Sequence, residues 1–252
     1  MHRFYVRPED MVNERVMLCP RETHHALHVL RVRPGEVVEL LDGAGQVCRA
    51  EVVEAARRAV VLRVWGRRRE LPPAWRLTLV VGLIKAGGFE EVLEKATELG
   101  VTGIQPVLAA RSVVRLRAEE VGARREKWRW VAVDALKQCG GAWLPEVGEL
   151  RPLGDWLRGR PRFDLEVFGG LGGGRETLRG RLERYRREHG GRLPGSVAAY
   201  VGPEGDFTLE ESAALERAGV DPVWLGPRVL RSETAALVFA AVIQSEFLGN
   251  GG

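Results

Sequence analysis

Apolar and polar positions alternate with a period of two over Val37 to Leu41, Gln46 to Val53 and Ala59 to Val64, which predicts short β-strands. Asp42-Gly43, between the first two, is a hairpin signal. The whole stretch from Phe4 to Val64 therefore reads as strands and turns, a small β unit of its own. From Leu77 onward the pattern changes. A continuous apolar run from Leu77 to Ile84 predicts a buried strand; Phe89, Val92, Leu93, Ala96 and Leu99 then fall on one helical stripe that stops at Gly100. Ile104 to Leu108, Phe163 to Phe168, Ser196 to Val201 and the short Pro222 to Leu225 read as further strands, and Glu119 to Gln138 as a long helix. Strand-helix alternation predicts an α/β fold with a parallel sheet. Between the two patterns, Arg67-Arg68-Arg69-Glu70-Leu71-Pro72-Pro73 is a charge run ending in two prolines. It reads as a linker, giving a β domain at 1–70 and an α/β domain at 74–249.

Two strand-loop-helix corners near the C-terminus carry the candidate chemistry, Val201-Gly202-Pro203-Glu204-Gly205-Asp206 and the run from Leu225 to Ala235. Corners of this kind fall at the carboxyl edge of a parallel sheet, where α/β proteins hold ligands. Thr208 with Glu211 forms a capping-box pattern for a helix ending near Gly219. Ser232 leads into a second helix, Glu233 to Leu248, apolar on most faces and so destined for the interior or for another subunit. Glycine-rich corners usually attract phosphate. Here no P-loop or dinucleotide spacing occurs, and Glu204, Asp206 and Glu233 would repel a triphosphate, so a neutral or cationic ligand fits better. Gly202, Gly205 and Gly226 let backbone approach a flat ring, and the prolines hold the loops open.

Charge adds a possible partner. The chain of 252 residues has a net charge of +4 and a pI near 9.2, carried almost wholly by arginine. That surplus suits phosphate recognition, and equally a genome of biased base composition. Three cysteines without a C-x-x-C pair favour a reducing cytoplasm. Met1-His2-Arg3 opens no secretory signal and no apolar run reaches membrane-spanning length. His24, His25 and His28 lack any cysteine or H-E-x-x-H partner pattern, so capping or packing is expected of them and no metal. Gly169 to Gly195 reads as an arginine-rich surface insertion, flexible or helical, with an extra RNA contact as the functional alternative.

Taken together, G-P-E-G followed by L-G-P-R-V-L-R-S-E-T-A resembles the signature of the RsmE family, bacterial 16S rRNA (uracil-N3)-methyltransferases of the SPOUT class. The resemblance extends to Lys95–Val101, Arg111-Ser112-Val113-Val114, Gln138-Cys139-Gly140 and His28-Val29-Leu30-Arg31. It implies a trefoil-knotted parallel-sheet domain that binds S-adenosylmethionine, preceded by a PUA-like β-barrel that seats RNA, in a cytoplasmic homodimer acting on the small ribosomal subunit. The cofactor residues it implies are Phe168, Gly169, Val201, Gly202, Pro203, Glu204, Gly205, Leu225, Gly226, Val229, Leu230, Thr234 and Ala235. For RNA it implies Arg31, Arg33, Lys85, Arg111, Gln138 and Arg228. Arg231 would hold the uracil or stabilise charge on its carbonyls, and Glu233 would orient Arg231 or assist proton removal; the two could also form a mere helix-start ion pair. The chain departs from the pattern at Gly88 and Gly141, where arginines are expected, and at Asp206, where glycine is common. Those losses keep open a non-catalytic RNA-binding or ribosome-assembly protein, or a SPOUT methyltransferase acting on different RNA.

Overall fold

The structure, a computed structural model, describes residues 1–114, 117–170 and 176–249. Backbone proximity divides the chain into two compact units, Met1–Pro72 with Val133–Leu144, and Pro73–Ala132 with Pro145–Gly252. The division is thus not a single cut, because the end of the long helix packs with the N-terminal unit.

That first unit contains β1 (Arg3–Tyr5), β2 (Arg15–Met17), α1 (Pro20–His24) continuing as a π-helical stretch (His25–Leu30), β3 (Val37–Leu41), β4 (Gln46–Ala56) and β5 (Ala59–Arg69). The strands form one sheet in the order β1-β3-β4-β5-β2, with β1 parallel to β3 and the other pairs antiparallel. One face buries Phe4, Val38, Leu40, Cys48 and Leu62 in the unit's core. Against the other face, Leu41 and Val47 pack on Leu136 and Ala142. The turn expected at Asp42-Gly43 is a longer loop closed by the Asp42 carboxylate, which accepts from the N–H groups of Ala44 at 2.7 Å and Gln46 at 2.9 Å. The supposed linker needs correction. Arg67–Arg69 continue β5, paired with Gln46–Cys48, and the Arg67 guanidinium donates to the carbonyls of Met11, Val12 and Asn13. A charge run does not end a strand whose backbone is paired and whose side chains reach water or loop carbonyls.

A buried ion pair ties this unit together. Glu22 is fully buried and Lys137 is 7% exposed, with Nζ 2.7 Å from the Glu22 carboxylate and 2.9 Å from Asp134. The second Glu22 oxygen accepts from the Tyr5 N–H at 3.2 Å. Burial, and next the Lys137 charge, hold the neighbouring His25 imidazole below its ordinary range. The exposed His24 and His28 rings lie 4.7 Å apart, tilted against each other.

The second unit alternates strand and helix as the apolar pattern requires. It runs β6 (Arg76–Gly82), α2 (Ala86–Glu98), β7 (Gly103–Leu108), α3 (Ala118–Cys139, whose end belongs to the first unit), β8 (Glu146–Val147), β9 (Arg151–Pro152) and α4 (Leu153–Gly159). It continues with β10 (Leu165–Gly169), α5 (Leu178–Glu188), β11 (Ser196–Val201), α6 (Leu209–Arg217), β12 (Asp221–Val223) and α7 (Ser232–Leu248). The seven strands are all parallel, in the order β12-β10-β11-β6-β7-β8, with β9 also on β7. All six residues of β11 are buried, as expected of a strand covered on both faces. After the edge strand β12 the chain returns as α7 to mid-sheet, packing on β11, β6 and α2, the route a threaded C-terminus takes. Residues 171–175 of the expected insertion lie outside the described residues; its remainder holds the helix α5, capped by the Thr177 hydroxyl, one side of which buries Leu182 and Tyr185, so the helical alternative is the one found there.

One polar network is sealed under the sheet. The Tyr200 hydroxyl donates to Glu166 at 2.6 Å and accepts from the Trp156 indole at 3.3 Å, while Arg160 holds both Glu166 oxygens at 2.7 and 3.0 Å. Burial, reinforced by the Glu166 carboxylate, pushes the Tyr200 phenol far above its ordinary range. Every member is satisfied, so the network fixes β10, β11 and α4 without leaving a reactive group.

Candidate active site

Four strands, β6, β10, β11 and β12, end on one edge of the sheet, and the loops that follow them enclose an open cleft of about 930 Å³. The loop after β11 supplies Gly202 to Asp206. The loop after β12 supplies Trp224 to Arg231 and runs into the first turn of α7, where Glu233 and Ala235 face the cleft. Ile84, Lys85 and Gly88 enter from the start of α2, and Gly169 and Gly170 from the end of β10. Phe239, fully buried one turn further along α7, closes the floor.

Local chemistry explains the loop shapes. The β11 loop turns so tightly that a Cβ on Gly202 would stand 2.5 Å from the Asp206 carboxylate and 2.9 Å from the Phe207 nitrogen. Asp206 itself takes a left-handed φ of 58°, and its carboxylate accepts from the Phe207 N–H at 2.8 Å, a conformation aspartate tolerates better than most residues. The loop is then anchored at three points. The Glu204 carboxylate accepts from the Lys85 N–H at 3.0 Å, Arg111 donates to the Gly205 carbonyl at 2.8 Å, and the capping-box Glu211 accepts from Ala110 at 2.7 Å. Gly226, with φ of 140° and nothing near its missing Cβ, lets the second loop run flat along the cleft.

Arg231 and Glu233 flank the N-terminus of α7. Arg231 is the N-cap residue, its side chain 86% exposed and its Nη1 3.9 Å from Glu233, whose side chain is 19% exposed. At that distance the pair is loose, and the guanidinium remains available to a ligand. A Cβ on Gly88 would sit 3.7 Å from the other Glu233 oxygen, so the residue where an arginine was expected lies beside this carboxylate.

Most of the expected cofactor residues meet here: Gly169, Val201, Gly202, Pro203, Glu204, Gly205, Leu225, Gly226, Val229, Leu230 and Ala235 all line the cleft. Two do not. Phe168 is 1% exposed and packs into the core beneath the sheet with Tyr200, and Thr234 is exposed off the cleft on α7, because strand and helix periodicity turn these neighbours away. Sequence reasoning passed over Ile84, Gly170, Trp224 and Phe239; each sits next to a strand end or inside an apolar run, where only the sheet order assigns it to the cleft. Of the expected RNA residues, Lys85 and Arg228 line the cleft and Arg111 braces its wall. Arg31, Arg33 and Gln138 belong to the other unit. There Arg31 ends the π-helical stretch with a left-handed φ of 56°, Arg33 is exposed, and the Gln138 carbonyl accepts from Arg3 at 3.1 Å.

The cleft therefore has apolar walls from Val201, Leu225, Leu230 and Phe239, backbone brought close by glycines, and three carboxylates, Glu204, Asp206 and Glu233. That donor set fits a flat ring joined to a cationic centre, as in S-adenosylmethionine, and disfavours a polyphosphate. No described helix is long and apolar enough to cross a membrane, and no group of three metal-ligating side chains forms among the described residues.

Comparison with known proteins agrees along the whole chain. The RNA methyltransferase domain family matches residues 70–244, and the RNA methyltransferase PUA domain family matches residues 18–64. The ribosomal RNA small subunit methyltransferase E of Bacillus subtilis is 30% identical over 98% of both chains. Its counterpart in Synechocystis is 31% identical over 97% of this chain and 77% of its own. Among solved structures, a ribosomal RNA small subunit methyltransferase E from Neisseria gonorrhoeae, bound to S-adenosyl methionine, superposes with a TM-score of 0.84 at 28% identity, covering 98% of each chain.

Proposed function

The chain belongs to the ribosomal RNA small subunit methyltransferase E family, and from that premise we propose that it methylates N3 of a uridine in 16S rRNA, using S-adenosylmethionine. The observation that carries the reading is the cleft at the strand ends, where eleven of the thirteen expected cofactor residues converge beside Arg231 and Glu233. S-adenosylmethionine, when bound, supplies an electrophilic methyl group on a cationic sulfur. Everything else falls to this chain. Gly202, Gly226 and the apolar walls hold the flat part of the cofactor, and Glu204, Asp206 and Glu233 provide a field that favours its positive charge. Arg231, exposed at the rim, donates to a uracil carbonyl as negative charge grows with loss of the N3 proton. Glu233, on the cleft wall next to it, orients that guanidinium or receives the proton. Because N3 is normally engaged in pairing, the target base must enter unstacked. Lys85, Arg111 and Arg228 around the cleft, and Arg31, Arg33 and Gln138 in the N-terminal unit, position the RNA through its phosphates.

The protein acts in the cytoplasm as a homodimer. Support for pairing is the outer side of α7, where Val238 and Val242 stay only partly buried and Leu248 is 69% exposed. Light scattering at micromolar concentration should give twice the chain mass; a monomer mass refutes the pairing. The reaction itself is tested by mass spectrometry of nucleosides from small-subunit rRNA of cells with and without the gene. Loss of 3-methyluridine on deletion is expected, and an unchanged level overturns the assignment.

A further inference from the structure

The second face of the N-terminal sheet is covered over only part of its extent. Leu41 and Val47 are roofed by Leu136, Ala142 and Trp143, but the same face continues across Val37, Arg49, Arg63, Trp65, Arg15 and Met17, which are exposed. Trp65 is 57% exposed, the one exposed member among the chain's seven tryptophans, and Met17 and Val37 on the same face are 67% and 47% exposed. A lone exposed aliphatic residue is ordinary, whereas a largely exposed indole on a paired strand, flanked on its face by Arg49 and Arg63, presents a large aromatic surface to solvent. Two positions of β5, Trp65 and Gly66, stand opposite Arg49 of β4, where the register shifts. The Arg49 guanidinium lies over the indole, 6.0 Å from its centroid, which puts a cation at the edge of cation–π range of the ring.

Charge on this surface is uneven. Glu51 is taken by Arg63 at 2.6 Å and Glu39 by Arg3 at 3.2 Å. Among the described residues neither Arg15 nor Arg49 has a carboxylate partner, so the open half of the face keeps two uncompensated guanidinium groups beside an exposed aromatic ring. A sheet face bearing an aromatic ring and unpaired arginines is the arrangement that takes single-stranded nucleic acid, with the base on the ring and the phosphates on the cations. We propose that this half-face is a docking platform for an unpaired RNA base, with Trp65 as the stacking surface and Arg49 and Arg15 as phosphate contacts. The proposal rests on the reading that the chain acts on RNA, and it deepens that reading by assigning an RNA contact to the unit that does not hold the methyl-transfer cleft. A hydrophobic protein partner fits less well, because two uncompensated cations would have to be buried with the indole.

The test is fluorescence anisotropy of the full chain with a short fluorescein-labelled oligouridylate and an abasic ribose-phosphate oligomer of equal length. Trp65→Ala should weaken binding of the oligouridylate about tenfold or more and leave the abasic oligomer within about twofold, since only stacking is removed. Trp65→Phe should keep most of the affinity. Arg49→Ala should weaken both oligomers and lower the salt slope by about one ion. Binding of S-adenosylhomocysteine by calorimetry should be unchanged in all three variants, which checks the fold. The proposal is overturned if Trp65→Ala binds the oligouridylate like the wild type, or loses both oligomers equally. It is also overturned if light scattering shows that Trp65→Ala instead turns a dimer into monomers, which would make a second copy the occupant. Retention of 3-methyluridine in the deletion strain would defeat the methyltransferase reading while leaving these titrations to stand or fall separately.

Discussion

Replacing Arg231 by alanine separates chemistry from folding because of where the side chain sits. It is 86% exposed, and the carboxylate it pairs with is 3.9 Å away, so its removal should cost the fold no more than about 0.5 kcal/mol. Its proposed task is to meet charge that develops only as the uracil N3 proton departs. Deleting one such donor typically raises the barrier by about 3–4 kcal/mol, a rate loss of about a hundred- to a thousandfold. Ground-state cofactor binding should barely change, since transition-state contacts alter turnover more than affinity. Arg231→Lys keeps the charge but not the planar fork and should fall between. The assay is single-turnover methylation of small ribosomal subunits at saturating S-adenosylmethionine, beside calorimetry of S-adenosylhomocysteine on the same variants. A wild-type rate for Arg231→Ala refutes the role. So does a loss of cofactor affinity as large as the loss of rate, which would make Arg231 a binding residue.

Glu22→Ala should destabilise the N-terminal unit by about 3–5 kcal/mol in urea unfolding, because Lys137 is left nearly buried with only Asp134 at 2.9 Å and the Tyr5 N–H loses its acceptor. Glu22→Leu combined with Lys137→Met should recover most of that loss; a single substitution costing under about 1 kcal/mol contradicts the buried pair. Gly226→Ala should weaken S-adenosylhomocysteine binding by about 1–3 kcal/mol, because alanine is strained at φ 140° and the unobstructed loop relaxes out of the conformation that lines the cleft. Gly202→Ala should instead lower the melting temperature, because its methyl meets Asp206 at 2.5 Å; wild-type affinity in Gly226→Ala would show that the second loop does not depend on that conformation.

How far the chain could be read in advance follows from which forces are local. The strands Val37–Leu41 and Ser196–Val201 fall where the apolar pattern places them, and the Thr208–Glu211 capping box forms as spaced, because each is decided within a few residues. The extent of β5 was not legible, since its last residues are arginines held by pairing to Gln46–Cys48 and by carbonyls of Met11 to Asn13, far away in sequence. Nor was the place of Val133–Leu144: its apolar residues fit a helix on any core, and contacts with Leu41 and Val47, the Glu22–Lys137 pair and the Arg3 hydrogen bonds choose the first unit. Arg3, whose Nη1 donates to the carbonyls of Lys137 and Gln138 at 3.0 and 3.1 Å, carries no sequence sign of closing a helix so distant in the chain. In the cleft the loops were visible as motifs, but Phe239 and Trp224 were not, because membership there depends on strand order and not on spacing.

The two missing arginines fall in different surroundings, and this decides what their absence means. Gly141 lies at the end of α3 in the N-terminal unit, where Arg3 already binds the helix carbonyls. Gly88 is another matter, since a side chain there would meet Ile84 at 3.1 Å and the Glu233 carboxylate at 3.7 Å in the cleft wall. An arginine at that site would bring a second cation to compete with Arg231 for the Glu233 carboxylate. With glycine there, Glu233 has one guanidinium near it, Arg231 at 3.9 Å, and that one is exposed enough to turn toward a substrate. The departure from the family pattern therefore leaves the proposed Arg231–Glu233 pair without a competing cation from that position, so the lost arginine does not by itself argue for a fold retained only for binding.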